Sequence, residues 1–143
     1  MNSDSLRFDI IDHVMLIVHA DVPPSDADWS RLIRVRNASR DRLRGLFVTA
    51  PPRASINASQ RADVAHFAKD TRISIAVITD SALIRGVARA VGFLGVPVRA
   101  FLPSELTSAF NFLIVPPSRH AEFTRRIELM KAQLASGAHD ASP

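Results

Sequence analysis

The sequence of 143 residues has no cysteine, one tryptophan and five glycines that stand apart from one another. The lack of cysteine excludes disulfide frameworks, thiolate nucleophiles and cysteine-based zinc sites. The scattered glycines exclude a glycine-rich phosphate loop and a dinucleotide-binding fingerprint. Because 47% of the residues are hydrophobic and 22% charged, the composition is that of one globular domain, long enough to bury a core without a metal or disulfide.

Lysine is also scarce, since Lys69 and Lys131 are the only lysines among 18 basic residues, and the formal net charge is +4. Residues 1–30 carry six aspartates and one arginine, whereas residues 31–61 carry eight arginines and one aspartate. Two interpretations are open: the segments pair within the fold, which we favour, or the arginines face an anionic partner. Only Trp29 and Phe47 add aromatic surface there, which argues against nucleic acid as that partner.

Targeting and membrane signals are missing from the sequence as well. The first residues, MNSDSLRFD, are polar and acidic, unlike a secretory signal. No apolar run approaches the roughly 20 residues that a membrane span needs. We therefore expect a cytoplasmic protein, of bacterial type, without integral membrane contact.

Hydrophobic patterning predicts an α/β fold. Residues 7–20 alternate as a β-hairpin with a turn at Asp12-His13, and further strands are expected at 46–48, 73–79 and 96–102. Helices are expected from about 26 to 42, after an Asn57–Gln60 capping box, after residue 81, after residue 103 and from residue 118. This order predicts a single-layer mixed, mostly parallel sheet of four or five strands with an N-terminal hairpin, flanked by four or five helices. Residues 1–135 are expected to form one domain and 136–143 a disordered tail.

Catalytic patterns are not apparent. The five histidines show no metal-ligand spacing, and no nucleophile motif or paired carboxylates stand out. His19 ends a strand and could reach a pocket, but a structural role is the favoured interpretation. The sequence therefore predicts no enzyme, no metal and no cofactor.

Asp80-Ser81 lies between the end of a predicted buried strand and the start of the next predicted helix. Ligand sites in α/β sheets gather at the carboxyl ends of strands. A phosphate on Ser81 would be stabilised by the helix dipole, and Arg85 one turn along could pair with it. The simpler interpretation, which we favour, is an N-cap that contributes about 1 kcal/mol.

Residues 73–113, ISIAVITDSALIRGVARAVGFLGVPVRAFLPSELTSAFNFL, resemble the SpoIIAA-like proteins of the STAS superfamily, which are related in fold to the CRAL-TRIO lipid-binding group. The features that match are the strand ending in Asp80-Ser81, Arg85-Gly86 in the helix, the strand VRAFLP, and Glu105-Leu106 before the next helix. Gln60-Arg61 at the preceding helix start also fits, and the resemblance covers about residues 8–114.

The resemblance implies a STAS-like sheet and a non-enzymatic regulatory or signalling domain that binds a partner protein. In anti-sigma-factor antagonists, a serine at the position of Ser81 is phosphorylated by a partner kinase. The usual Asp-Ser-Ser-Gly pattern is replaced here by Asp-Ser-Ala-Leu. The expected contact surface lies around the helix start and the loops 51–57 and 103–105. Its expected residues are Asp80, Ser81, Arg85, Arg89, Gln60 and Arg61.

Two other functions stay open at this point. By analogy with the CRAL-TRIO relatives, the chain could bind a small molecule or lipid, which requires an apolar cavity between sheet and helices. A basic module associated with nucleic acid is the third possibility. The apolar stripe from Phe123 to Leu134 on the last helix predicts packing against the sheet, in preference to pairing with a second copy in a homodimer.

Overall fold

The computed structural model describes the backbone of residues 4–140 and the side chains of residues 4–136. Its sheet has five strands, which lie in the order of the chain. They are β1 (Leu6–Ile11), β2 (Val14–His19), β3 (Gly45–Thr49), β4 (Ser74–Ile78) and β5 (Val98–Phe101). β1 and β2 form an antiparallel hairpin, and β2 to β5 pair in parallel.

Five helices flank the sheet: α1 (Asp26–Ala38), α2 (Ala58–Thr71), α3 (Ala82–Gly92), α4 (Leu106–Phe112) and α5 (His120–Asp140). Short 3-10 turns precede the last two, at Pro103–Glu105 and Pro117–Arg119. The α/β class with a mixed, mostly parallel five-stranded sheet is thus confirmed. No helix within residues 4–140 is long and apolar enough to cross a membrane.

Three element ends differ from the sequence-based prediction. α1 ends at Ala38 rather than near Arg42, because the backbone turns at Ser39 and the Arg42 N–H donates to the Ser39 carbonyl. β5 begins at Val98, since Pro97 has no N–H to donate to a strand ladder. The predicted tail 136–143 falls partly on α5, whose backbone is described to Asp140, and partly on residues 141–143, outside the described residues.

The hairpin turn and the second helix start lie where the sequence predicts them. Asp12 adopts a left-handed backbone (φ 54°), a conformation that aspartate tolerates better than most residues. Asn57 and Gln60 form a reciprocal capping box at the start of α2. Ser25 caps α1, and its side chain accepts a hydrogen bond from the Asp28 N–H.

The two faces of the sheet carry different helices, because successive strand residues point to opposite sides. Odd-numbered Met15 and Ile17 of β2 pack with α1 and α2, whereas even-numbered Leu16 and Val18 pack with α4 and α5. The stripe on α5 is buried against the sheet, as predicted; it consists of Phe123, Ile127, Met130 and Leu134. A self-pairing α5 would need this same surface.

Aromatic rings fill the α4–α5 side. The Phe110 ring lies 5.4 Å from that of Phe47 on β3 and 5.7 Å from that of Phe123, centroid to centroid. The imidazole of His120 lies 4.9 Å from the same Phe110 ring. Such offset and edge contacts each add about 0.5–1.5 kcal/mol to the burial of the rings. This side of the sheet is therefore closely packed.

A buried aspartate attaches the start of the hairpin to α1. Asp28 accepts hydrogen bonds from the backbone N–H of Ser5 (2.6 Å) and from its hydroxyl (2.7 Å). Burial by itself would raise the pKa of the Asp28 carboxyl, but the bonds from Ser5 and the charge of Arg31 hold that pKa below its usual value. The carboxylate is therefore the form that the fold requires.

Replacing this aspartate tests the attachment. We expect Asp28→Ala to lower the free energy of unfolding by about 2–3 kcal/mol, because the buried N–H of Ser5 loses its acceptor. Asp26→Ala, at an exposed residue of the same helical turn, should cost less than about 1 kcal/mol. Urea unfolding of the three proteins measures both values, and equal losses would contradict the role given to Asp28.

Candidate functional site

An apolar cavity of about 140 Å³ lies between the sheet and helices α1, α2 and α3. Its floor is formed by side chains of the four strands β2 to β5, and its walls by the three helices and the loop before α2. The floor residues are Ile17, His19, Leu46, Val48, Ile75, Val77 and Val98. The walls include Trp29 and Ile33 of α1, Arg61 and Val64 of α2, Ile84, Val87, Ala88 and Val91 of α3, and Ala54–Ile56 of the loop.

Incomplete covering of the central strands produces this cavity. Val48 on β3 and Val77 on β4 lie in the middle of the sheet, yet both are only half-buried. α3 lines the other side of the space with the side chains of Ile84, Val87, Ala88 and Val91. The sheet is thus packed on one face and leaves an apolar space on the other.

The cavity runs along the parallel strands, from Leu46, Ile75 and Val98 near their starts to their carboxyl edge. His19 is the last residue of β2, and Ala50 directly follows β3. Ile84, in the first turn of α3, follows the end of β4. Ligands bind at this edge in open α/β sheets because loops and helix starts converge there.

His19 is a polar side chain within this apolar lining. It is only 7% exposed, and its Nδ1 has no hydrogen-bond partner among the described residues. Burial lowers the pKa of His19 from 6.5 to about 4, so the imidazole is neutral at pH 7. A neutral imidazole has one donor and one acceptor nitrogen, which suits a polar group on a bound molecule. His19 thus reaches a cavity, as the sequence allowed, and its structural role stays a prediction.

Two arginines line the same cavity in different states. Arg36 is buried, its Nη1 donates to Asp63 at 2.8 Å, and its guanidinium lies 4.0 Å from the centre of the Phe67 ring. Arg61 is half-buried and donates from Nη1 to the carbonyl of Ile56 at 2.7 Å. Among the described residues, no carboxylate lies within salt-bridge distance of Arg61. Its charge is therefore free to meet an anion.

The sequence-predicted residues divide into two groups. Arg61 lines the cavity, while Gln60 beside it is buried and used in the capping box. Asp80, Ser81, Arg85 and Arg89 lie around α3 but do not line the cavity.

Ser81 occupies the N-cap of α3, as the simpler interpretation predicts. Its Oγ accepts a hydrogen bond from the Ile84 N–H at 3.3 Å, and the side chain is half-buried. Asp80 and Arg89 are exposed, and Arg85 is half-exposed. Arg85 and Arg89 form no salt bridge with the described residues.

The charged segments do not pair with each other as the favoured interpretation predicts. Arg31–Asp28, at 3.2 Å, is the one salt bridge that joins them among the described residues. The aspartates of the hairpin pair instead with arginines near the C-terminus: Asp9 with Arg126, and Asp12 with Arg119. Sequence proximity does not show which segments a fold brings together, and α5 returns to the hairpin here.

The buried imidazole makes stability depend on pH. Since the pKa of His19 is lower in the folded chain, the unfolded chain takes up the proton first as the pH falls from about 6.5 to 4. The protein should then lose roughly 3 kcal/mol of unfolding free energy across that range. We expect His19→Leu to remove most of this loss, whereas His66→Gln, at an exposed residue of α2, should retain it. Urea unfolding at pH 4.5 and pH 7 measures the difference, and parallel behaviour of wild type and His19→Leu would refute it.

Comparisons with known proteins do not identify this chain. No model of a known protein family matches it. Neither the search of curated proteins nor the search of solved structures gives a significant match. The resemblance of residues 8–114 to SpoIIAA-like proteins therefore stays a prediction.

Proposed function

We propose that the protein is a binding module that takes a small apolar molecule into the cavity between the sheet and α1–α3. The observation that carries this proposal is the half-exposed floor of Val48 and Val77 in the centre of the sheet. Apolar surface left open in this way gains about 25 cal/mol per Å² when a ligand covers it.

The size of the cavity limits the ligand. At about 140 Å³, it is close to the roughly 150 Å³ apolar cavities that hold benzene or xenon. One six-membered ring, or a branched chain of similar volume, would fill it. A larger molecule would leave its remaining part at the mouth.

In this proposal the cavity binds a molecule without converting it chemically. The lining contains one imidazole, His19, and no carboxylate. An imidazole needs a positioned partner or nucleophile to act in acid–base or covalent catalysis. Ser55 is the one hydroxyl of the lining, and it forms no hydrogen bond with Nδ1 of His19.

Trp29 provides a direct test, because it is the only tryptophan in the chain and lines the cavity. Bromobenzene, whose heavy atom quenches indole fluorescence on contact, should quench Trp29 emission in a saturable titration. Val77→Phe, which fills the floor, should abolish saturation, and Ala88→Leu should weaken it from the opposite wall. Val22→Phe makes the same change as Val77→Phe at an exposed loop position and should leave binding unchanged.

Two outcomes of this titration would contradict binding in the cavity. Quenching that rises linearly in wild type, like that of free tryptophan, would refute the proposed binding. Equal saturation in Val77→Phe and in wild type would place any bound molecule outside the cavity. Thermal melts of each variant would show whether it is folded.

A second candidate function is a STAS-like regulatory domain that binds a partner protein at the start of α3. Its support is the sequence resemblance together with Leu83, 69% exposed next to the half-buried Ser81. The unpaired Arg85 and Arg89 on the same helix would add charge to this surface. In this proposal the domain acts in the cytoplasm of a bacterium, and phosphorylation of Ser81 would switch the contact.

Phosphorylation mapping tests the second candidate. In protein isolated from the cells that produce it, we expect phosphate on Ser81 and none on Ser104, an exposed serine of the turn before α4. Ser81→Asp and Ser81→Ala should then capture different partners, because only the former has a negative charge at the helix N-terminus. Unmodified Ser81 and identical capture by both variants would contradict the switch.

A further inference from the structure

We propose that the cavity is selective for a monocarboxylic acid with a small apolar body, and that Arg61 at its lining binds the carboxylate. This inference rests on the proposed ligand binding and adds the charge class of the ligand. The carboxylate would lie at the guanidinium of Arg61, with the body against Val48 and Val77.

The position of Arg61 is the first support. It lies in the first turn of α2, where it lines the cavity together with Ile56 and Val64. Its one hydrogen bond, from Nη1 to the Ile56 carbonyl at 2.7 Å, steadies the guanidinium. A guanidinium has five N–H donors, so most of the fork is left for an acceptor.

The lack of a competing carboxylate is the second support. Arg31, Arg36 and Arg40 each pair with an aspartate, whereas Arg61 has no such partner among the described residues. The positive end of the α2 dipole adds to the positive electrostatic potential around Arg61. A half-buried cation beside apolar surface is stabilised when an anion binds it.

The rest of the lining excludes other ligand charges. It holds no carboxylate, so a cationic ligand would find no partner there. Arg36 is neutralised by Asp63, and burial keeps His19 neutral, which leaves Arg61 as the single uncompensated charge of the lining. One guanidinium fork matches one carboxylate, whereas a phosphate dianion calls for more positive charge.

Phenylacetate and phenylacetamide form the decisive probe pair, because they have nearly the same shape and differ in charge. Isothermal titration calorimetry at pH 7 and low salt should show phenylacetate binding about tenfold more tightly, the size expected for a charge-assisted hydrogen bond. Arg61→Gln should remove this preference and leave phenylacetamide unaffected. Arg61→Lys should retain part of it.

Arg53→Gln is the matched control. Arg53 is an exposed residue of the same loop region, does not line the cavity and loses the same charge on substitution. The tenfold preference should persist in this variant. A loss as large as that in Arg61→Gln would mean that net charge, and not Arg61, attracts the acid.

The remaining outcomes distinguish failure of the carboxylate selectivity from failure of the proposed apolar binding. Equal affinity of wild type for both probes, or binding of bromobenzene alone, would overturn the carboxylate selectivity while the apolar site stands. An unchanged preference in both Arg61→Gln and Arg61→Lys would also overturn the role of Arg61. If none of the three probes binds, both proposals fall.

Discussion

The ring contacts of Phe110 with Phe47 and Phe123 are the interaction on which the rest of the molecule depends. They attach α4 and α5 to the middle of the sheet and bury the centre of that face. Protein interiors ordinarily pack as densely as organic crystals, and voids cost stability. A domain can tolerate an unfilled space on one side of its sheet when the opposite side is packed as closely as this one.

The open face has its own reinforcement beside the cavity. Arg36 connects α1 to α2 through Asp63, and its guanidinium lies over the Phe67 ring. Because the Arg36 side chain is buried, removing Asp63 would leave its charge without a partner, which costs more than the pair contributes. The two helices therefore stay together as one wall, and α3 forms the other.

Much of the fold follows from local patterns in the sequence. Alternation in residues 7–20, the Asn57–Gln60 capping box and the continuous apolar run at 73–79 each correspond to an element of the structure. The cavity does not follow in the same way. The sequence of a strand such as β4 is apolar whether the helices that cover it pack closely or stand apart. The incomplete burial of Val77 therefore leaves no pattern in the sequence.

The site residues also differ in how far the sequence indicates their roles. Arg61 was named with Gln60 because the pair fits the resemblance to SpoIIAA-like proteins; Arg61 lines the cavity, whereas Gln60 is used in the cap. His19 had the visible signal, a histidine at the carboxyl end of a buried strand, yet one histidine without a partner most often has a structural role. Only the three-dimensional arrangement shows that its Nδ1 lacks a hydrogen bond.

The strand order of the sheet also bears on how the chain acquires its shape. Because each strand pairs with the next one along the chain, most of the sheet can assemble from nearby segments, an arrangement that favours rapid folding. The exception is α5, which returns to the hairpin through ion pairs that span 107 and 117 residues. During synthesis the sheet can form progressively, and Phe47 is covered once Phe110 of α4 has followed it. The carboxylates of Asp9 and Asp12 meet their arginine partners only after α5 and the turn before it have been made.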